Sequence, residues 1–385
     1  MQSLRKFFKS SLFSFVSLTN TQSLITRFLR ADQFLPDICA PRFSAGAGIP
    51  IAQAREILKN VPSLASQAWT EYWIDLGKEF EKTFQYQAAC MSYVMAAFPK
   101  EDYPWKDEAN KRKRESFQKW CQQNNCIFEE KNLSTPLGNV RYYFYIPPET
   151  KGKVPLSILV NGLEGSAEEI GFSLKKHLHE GSAYATLSIP GSADYDRPMS
   201  VNSDLILRAV IDELCRNPKI DTQNIGMVGF SFGAYWTLIC AKTDARIKFS
   251  LCNGTPYRHT FNPEGGIGLN PVLAHGLMCI FQVKHPLYLI GVMKKLIARA
   301  DELLYKPSGP ILAIDGDKDS IVDPRDTEII GNAPGNRLIM IKNDDHCGLF
   351  HFERMTSIIV AWARQNYASS TSSAAETALS SPPAA

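Results

Sequence analysis

No stretch of this sequence is apolar for long enough to cross a bilayer, and no charge of one sign dominates it. The formal net charge is only +3 over 385 residues, which removes the electrostatic footprint that a nucleic-acid surface needs. The one basic run, Lys111 to Arg114, stands among Glu108, Glu115 and helix formers and reads as a solvated helix face. Cys121 and Cys126 form the only close cysteine pair, and no second Cys or His pair accompanies them, so no metal site is expected. The nine cysteines are odd in number, and Cys215, Cys240, Cys252 and Cys279 lie in apolar stretches where a free thiol behaves as a small hydrophobe. A reducing, cytoplasmic setting is the simplest expectation, with neither membrane nor nucleic acid as a partner. Acids are also missing before Asp32, whereas Arg5, Lys6, Lys9, Arg27 and Arg30 are basic and Leu12 to Leu18 is an apolar run. A targeting segment and an amphipathic helix both fit this pattern; the lack of a small-residue cleavage site favours the helix.

What is present is a globular composition, 44% hydrophobic and 21% charged, in a chain long enough for one large core and an additional element. From Ala52 to Cys121 apolar residues recur at three and four positions, through Ile57, Leu58, Val61, Leu64, then Trp69, Trp73, Leu76, Phe80, then Ala89, Tyr93, Ala96 and Ala97. That period is helical. Near Cys126 it becomes alternating, which predicts strands over 127–130 and 140–145 with a turn between Pro136 and Asn139. Beyond Pro147, apolar runs at 156–160, 183–189, 225–230, 249–252, 311–314 and 338–341 are separated by helical segments. Continuous apolar strands between helices predict a mostly parallel sheet covered on both faces. The expected organisation is a helical N-terminal or cap domain at 1–124, a core at 125–255 and 307–367, an inserted lid at 256–306, and a disordered Ser, Ala and Pro-rich tail at 368–385.

Chemistry is concentrated in three places. Gly229-Phe230-Ser231-Phe232-Gly233 follows an apolar run and precedes a helical one, the context in which a nucleophilic serine sits on a tight strand-to-helix turn. A serine nucleophile needs a base, and the base needs an acid, in the chain order Ser, Asp, His for such a sheet. His346 alone among the seven histidines follows a late strand and precedes the terminal helix; His177, His179, His259, His275, His285 and His351 read as surface or packing residues. Asp319 is the expected acid because it stands beyond the turn after Gly316, with Asp317 and Asp323 as rivals and Asp315 at the strand end. An oxyanion needs two backbone donors, expected from Phe232 and, in the loop Asn161 to Gly165, from Leu163. In that same loop Ser166 is an N-cap with Glu169 as its capping-box partner.

Taken together, Asn161-Gly162-Leu163-Glu164-Gly165-Ser166-Ala167-Glu168-Glu169, the serine elbow and Asp345-His346-Cys347 resemble the FrsA-like α/β-hydrolases. This group holds the 2,6-dihydropseudooxynicotine hydrolases and the microbial hydrolases that shorten polyketide chains in pigment biosynthesis. The resemblance spans roughly Ala52 to Tyr367. It implies the α/β-hydrolase fold and cleavage of a carbon–carbon bond beside a carbonyl, and it assigns Glu164 to orienting or protonating the substrate. The segment Pro190 to Tyr195 departs from the family's tighter turn, which bears on the pocket rim.

The expectation is therefore a cofactor-independent serine hydrolase acting on a polyketide-like or aromatic ketone, as in secondary metabolism. A small molecule is the expected partner, with a homodimer as a further expectation. A carboxylesterase or thioesterase would use the same residues, since no triad residue distinguishes a carbon leaving group from oxygen or sulfur. A hydrolase-fold binding module without catalysis is disfavoured by the complete set of nucleophile, base and acid.

Overall fold

The computed structural model describes residues 35–62, 66–98, 104–163, 165–175, 181–192, 194–262, 271–306 and 308–368. The basic N-terminal segment, Glu164, His177, His179 and the tail after residue 368 lie outside the described residues.

Five helices open the described chain: α1 Leu35–Ala47, α2 Ile51–Leu58, α3 Gln67–Lys82, α4 Tyr86–Ala97 and α5 Pro104–Gln123. Ser66 starts α3 by accepting the Trp69 N–H at 3.0 Å, satisfying one of the donors that a helix start leaves open. The periodic tryptophans of α3 turn inward, and Trp69 Nε1 donates to the Met95 carbonyl of α4 at 2.8 Å. Helix α4 is buried from Ala88 to Ala96, as an Ala-rich helix hydrophobic all round should be. Helix α1 precedes the segment whose period is legible in the sequence, and it contains Pro41.

A hairpin follows, β1 Glu129–Thr135 and β2 Gly138–Tyr145. Its loop is only Pro136 and Leu137, shorter than the Pro136 to Asn139 turn expected, because Thr135 pairs directly with Gly138, whose φ is +126°. Ile127, expected in the first strand, stands outside it and is exposed.

The remaining elements alternate: β3 Val154–Val160, α6 Ala167–Leu174, β4 Ala183–Leu187, α7 Asp204–Cys215, β5 Ile220–Phe230, α8 Phe232–Thr243 and β6 Ile247–Asn253. Then come α9 Arg258–Phe261, α10 Pro271–Phe281, α11 Pro286–Leu303, β7 Ile311–Gly316, α12 Pro324–Gly331, β8 Arg337–Ile341 and α13 Phe352–Ala368. The eight strands form one sheet in the order β1-β2-β4-β3-β5-β6-β7-β8. It is antiparallel at the β1, β2 and β4 edge and parallel from β4 to β8.

Strand alternation divides the core in two. Ile158, Met227 and Ala313 face α7, α8, α10 and α11. Leu159, Val228, Leu312 and Ile314 face the other way, sharing one cluster with the helices α1 to α6 and with α13. The N-terminal helices thus close one face of the sheet. A buried ion pair, Lys113 Nζ to Glu168 Oε2 at 3.3 Å, ties α5 to α6. On the opposite face, Phe232 of α8 meets Phe261 of α9 and Phe281 of α10, and Tyr235 Oη donates to the Leu296 carbonyl of α11 at 2.8 Å. No helix among the described residues is long and apolar enough to cross a membrane.

Candidate functional site

The carboxyl ends of β3, β5, β6, β7 and β8 open on one edge of the sheet, the place where ligands bind in open parallel sheets. Ser231 follows β5 there as the N-cap of α8, with φ 52° and ψ −125°. A non-glycine residue held at such a positive φ costs about 1–3 kcal/mol and persists only where its surroundings impose it. The surroundings do so: Ser231 N–H donates to the Asn253 carbonyl at 2.7 Å, and the Ser231 carbonyl accepts from Ala234 N–H at 2.8 Å. The two elbow glycines are there for space. A Cβ on Gly229 would lie 2.4 Å from the Gly233 carbonyl oxygen, and one on Gly233 2.2 Å from that of Asn161.

His346 begins the 3-10 stretch His346–His351 after β8. Its Nδ1 lies 2.5 Å from Asp319 Oδ2, and the Asp319 carboxylate is fully enclosed. The other oxygen of Asp319 accepts Ile321 N–H at 2.7 Å and Val322 N–H at 2.8 Å, so the acid is oriented by its own turn. Burial opposes a charge on the imidazole, but the Asp319 carboxylate beside it prevails and holds His346 well above the ordinary histidine value. Asn253 links this pair to the serine, since its carbonyl receives Ser231 N–H while its Nδ2 donates to the Cys347 carbonyl at 3.1 Å.

The rival carboxylates have other partners. Asp317 Oδ1 accepts Asn343 N–H at 2.6 Å and staples the β7 loop to the β8 loop. Asp323 caps α12 through Arg325 N–H at 3.1 Å and is paired with the Arg325 guanidinium, which depresses its carboxyl. Asp345 joins the loops again, its Oδ1 accepting both His346 N–H and Ser320 N–H at 2.7 Å.

Two neighbours of the pair have roles that sequence reasoning missed. Asp315 lies inside β7, fully buried, accepting Gly316 N–H at 2.9 Å, Cys347 N–H at 3.2 Å and the Thr327 hydroxyl at 3.1 Å. Burial, and then the neighbouring Asp319, push its carboxyl well above the ordinary carboxylate range. Cys347, at φ 57°, places its Sγ 3.5 Å from His346 Nε2. Asp315, Asp319 and His346 are also the one group among the described residues with ligand atoms close enough for a metal ion, within 4.8 Å. Their oxygens are already ringed by N–H and O–H donors, a shell suited to carboxyl groups rather than to a cation.

Phe232 is the first residue of α8, and the N–H there belongs to the set that has no partner inside a helix. Leu163, buried, stands in the loop after β3, where Gly162 passes so close to the serine that a Cβ would lie 2.8 Å from Ser231 Cβ. Glu164, beside it, lies outside the described residues. Ser166 caps α6 by accepting Glu169 N–H at 3.3 Å. The expected capping box is not what the Glu169 carboxylate makes: it takes Arg42 of α1 and Asn161 instead, because the Arg42 guanidinium offers it two charge-assisted bonds at once. The other described histidines serve packing and caps, His285 starting α11 and His351 Nδ1 lying 2.6 Å from Asp344 Oδ2.

No family model matches the chain. Among curated proteins, 2,6-dihydropseudooxynicotine hydrolase of Paenarthrobacter nicotinovorans is 27% identical over 202 residues, which are 48% of this chain and 54% of that protein. The match therefore spans about half the length of that relative. Among solved structures, AbyA5 superimposes with a TM-score of 0.70 at 21% identity, over 83% of this chain and 95% of AbyA5. The structure titled 2,6-dihydroxy-pseudo-oxynicotine hydrolase gives 0.71 at 20% identity, over 86% and 96%. Est1E from Butyrivibrio proteoclasticus gives 0.50 at 18%, over 62% of this chain and 99% of Est1E. The eight-stranded sheet, the serine elbow at its centre and these likenesses agree: the chain has the α/β-hydrolase fold, with 2,6-dihydropseudooxynicotine hydrolase as a sequence relative and AbyA5 as a structural neighbour.

Proposed function

We propose that the protein is a serine hydrolase in which Ser231 is the nucleophile, His346 the general base and Asp319 the acid that orients it. The observation that carries this is the pairing of His346 Nδ1 with an enclosed Asp319 carboxylate at 2.5 Å, across Asn253 from a serine strained at φ 52°. Asp319 holds the proton on Nδ1, leaving Nε2 to take the serine proton and stabilising the imidazolium that results. The Phe232 N–H and the Leu163 N–H are proposed to receive the oxyanion.

The favoured reaction is hydrolysis of a carbon–carbon bond beside a carbonyl. Ser231 Oγ adds to the ketone carbon while its proton passes to His346 Nε2. The tetrahedral oxyanion reforms the carbonyl, the carbon–carbon bond breaks, and its electron pair leaves as an enolate that a second carbonyl stabilises. His346 protonates the enolate carbon, and water, deprotonated by His346, then releases the acyl group from Ser231. Support comes from the sequence resemblance and from 2,6-dihydropseudooxynicotine hydrolase as a relative. A polyketide-like or aromatic ketone substrate and a place in pigment-type secondary metabolism are the finer parts of the proposal. Ester or thioester hydrolysis needs the same residues and is the second reading, with Est1E sharing the fold.

The test has two arms. A fluorophosphonate should label Ser231 in the wild-type chain and leave Ser231→Ala unlabelled and inactive in a folded protein. An intact label on the variant would place the nucleophile elsewhere. Turnover of a β-diketone and an activated aryl ester then chooses the reaction, and esters cleaved with diketones untouched would make the protein an esterase.

A further inference from the structure

The loop that carries Leu163 is tied to the N-terminal helices by one chain of polar contacts. Arg42 of α1 grips Glu169 with two parallel bonds, Nε to Oε1 and Nη2 to Oε2, each 2.9 Å, and both side chains are about four-fifths buried, at 19% and 17% exposure. Glu169 Oε2 receives Asn161 Nδ2 at 3.3 Å. The second hydrogen of that amide goes to the Ser166 carbonyl at 2.8 Å, and Asn161 Oδ1 accepts Gly162 N–H at 2.7 Å. Every polar atom of the Asn161 side chain is thus assigned, and only one orientation of the amide satisfies them all. The amide spans the loop from Gly162 to Ser166, with Leu163 between them. Helix α1 also packs against α6 and against the turn His346–His351, so it touches both sides of the site.

We propose that Arg42 is a positioning residue of the hydrolase: through Glu169 and Asn161 it holds the loop whose Leu163 N–H faces the developing oxyanion, making α1 part of the catalytic apparatus. This rests on the serine-hydrolase reading above. Two physical effects follow from the geometry. The bidentate ion pair fixes the Glu169 carboxylate as an acceptor for Asn161, and preorganised donors are what stabilise an oxyanion without reorganisation. Arg42 also neutralises a carboxylate that would otherwise stand largely buried without a cationic partner, hydrogen-bonded to the residue that opens the Leu163 loop.

The experiment measures the rate at which a fluorophosphonate labels Ser231 in the full chain, as a function of probe concentration, for wild type, Arg42→Ala, Arg42→Lys, Glu169→Gln and Arg42→Ala with Glu169→Gln. Arg42→Ala should lower the saturating labelling rate about tenfold or more while the half-saturating concentration stays within about twofold, because the loss is in the transition state. Arg42→Lys should recover part of the rate, as a charge without the fork. The double variant should lose less than the product of the single losses, because Gln removes the uncompensated charge that Arg42→Ala exposes. Single variants labelling within about twofold of wild type, a loss confined to half-saturation, or multiplicative losses would overturn the inference. Should Arg42→Ala not fold, Arg42→Lys and Glu169→Gln decide by the same criteria. Wild-type protein that is not labelled at Ser231 overturns the hydrolase reading and this inference together; a labelled wild type with indifferent variants overturns this inference alone.

Discussion

Replacing Asp319 with Asn changes one oxygen to an amide nitrogen in an enclosed position that accepts three N–H groups. Two of these, from Ile321 and Val322 at 2.7 and 2.8 Å, converge on Oδ1, so the amide oxygen of the substituted side chain takes that place and its NH2 turns to His346. That NH2 can only donate, which forces Nδ1 to be the unprotonated nitrogen and puts the proton on Nε2, where the base should be empty. A triad in the wrong tautomer loses about four orders of magnitude in kcat, equivalent to about 5.5 kcal/mol of transition-state stabilisation. The same change moves the pH profile. The base works when neutral, so activity rises with pH through the His346 pKa, which Asp319 holds well above the ordinary value. The acid limb of wild-type kcat/KM should lie above pH ~6.5, and in Asp319→Asn the residual activity should show it at lower pH, because the charge that favoured the imidazolium is gone. The assay is kcat/KM for an aryl ester across pH, with circular dichroism to confirm folding. A loss under about tenfold, or an acid limb that does not move, would remove Asp319 from the proposed role.

Asp317→Asn and Asp323→Asn should each leave kcat within about threefold of wild type, since the amide oxygen still accepts Asn343 N–H at the first position and Asn is as good a helix cap as Asp at the second; a larger loss at either in steady-state assays would move the acid there. Gly162→Ala should abolish labelling by a fluorophosphonate while circular dichroism shows the fold retained, because a Cβ 2.8 Å from Ser231 Cβ displaces the serine or the loop; unchanged labelling would show that the two segments are not in such contact. Glu164→Gln should slow β-diketone cleavage far more than aryl-ester cleavage if Glu164 manages a proton in ketone chemistry, and equal losses in paired assays would leave it without that role.

How much of this was legible without coordinates follows from the range of each interaction. Apolar runs of four to seven residues determined where β3 to β8 fall, because a strand buried on both faces must be continuously hydrophobic, and Gly229 to Gly233 determined the elbow, because only small residues clear that turn. Ser231, His346 and Asp319 could be nominated from chain order alone, since strand ends that share a sheet edge must converge. Strand termini and the Pro136 and Leu137 turn were less legible, being set by pairing partners and not by the residues themselves. What only the tertiary structure decided are contacts between segments distant in sequence. Glu169 reads locally as a capping-box residue, yet Arg42, 127 positions earlier, draws its carboxylate away. Asp315, Asp317, Asp319 and Asp323 are one acidic run in the sequence. Folding gives each a different task, burying one inside β7 with its carboxyl pushed up, stapling a loop with another, aiming a third at His346 and capping α12 with the last, because the ease with which a carboxyl ionises depends on the donors and solvent that the rest of the chain brings to it.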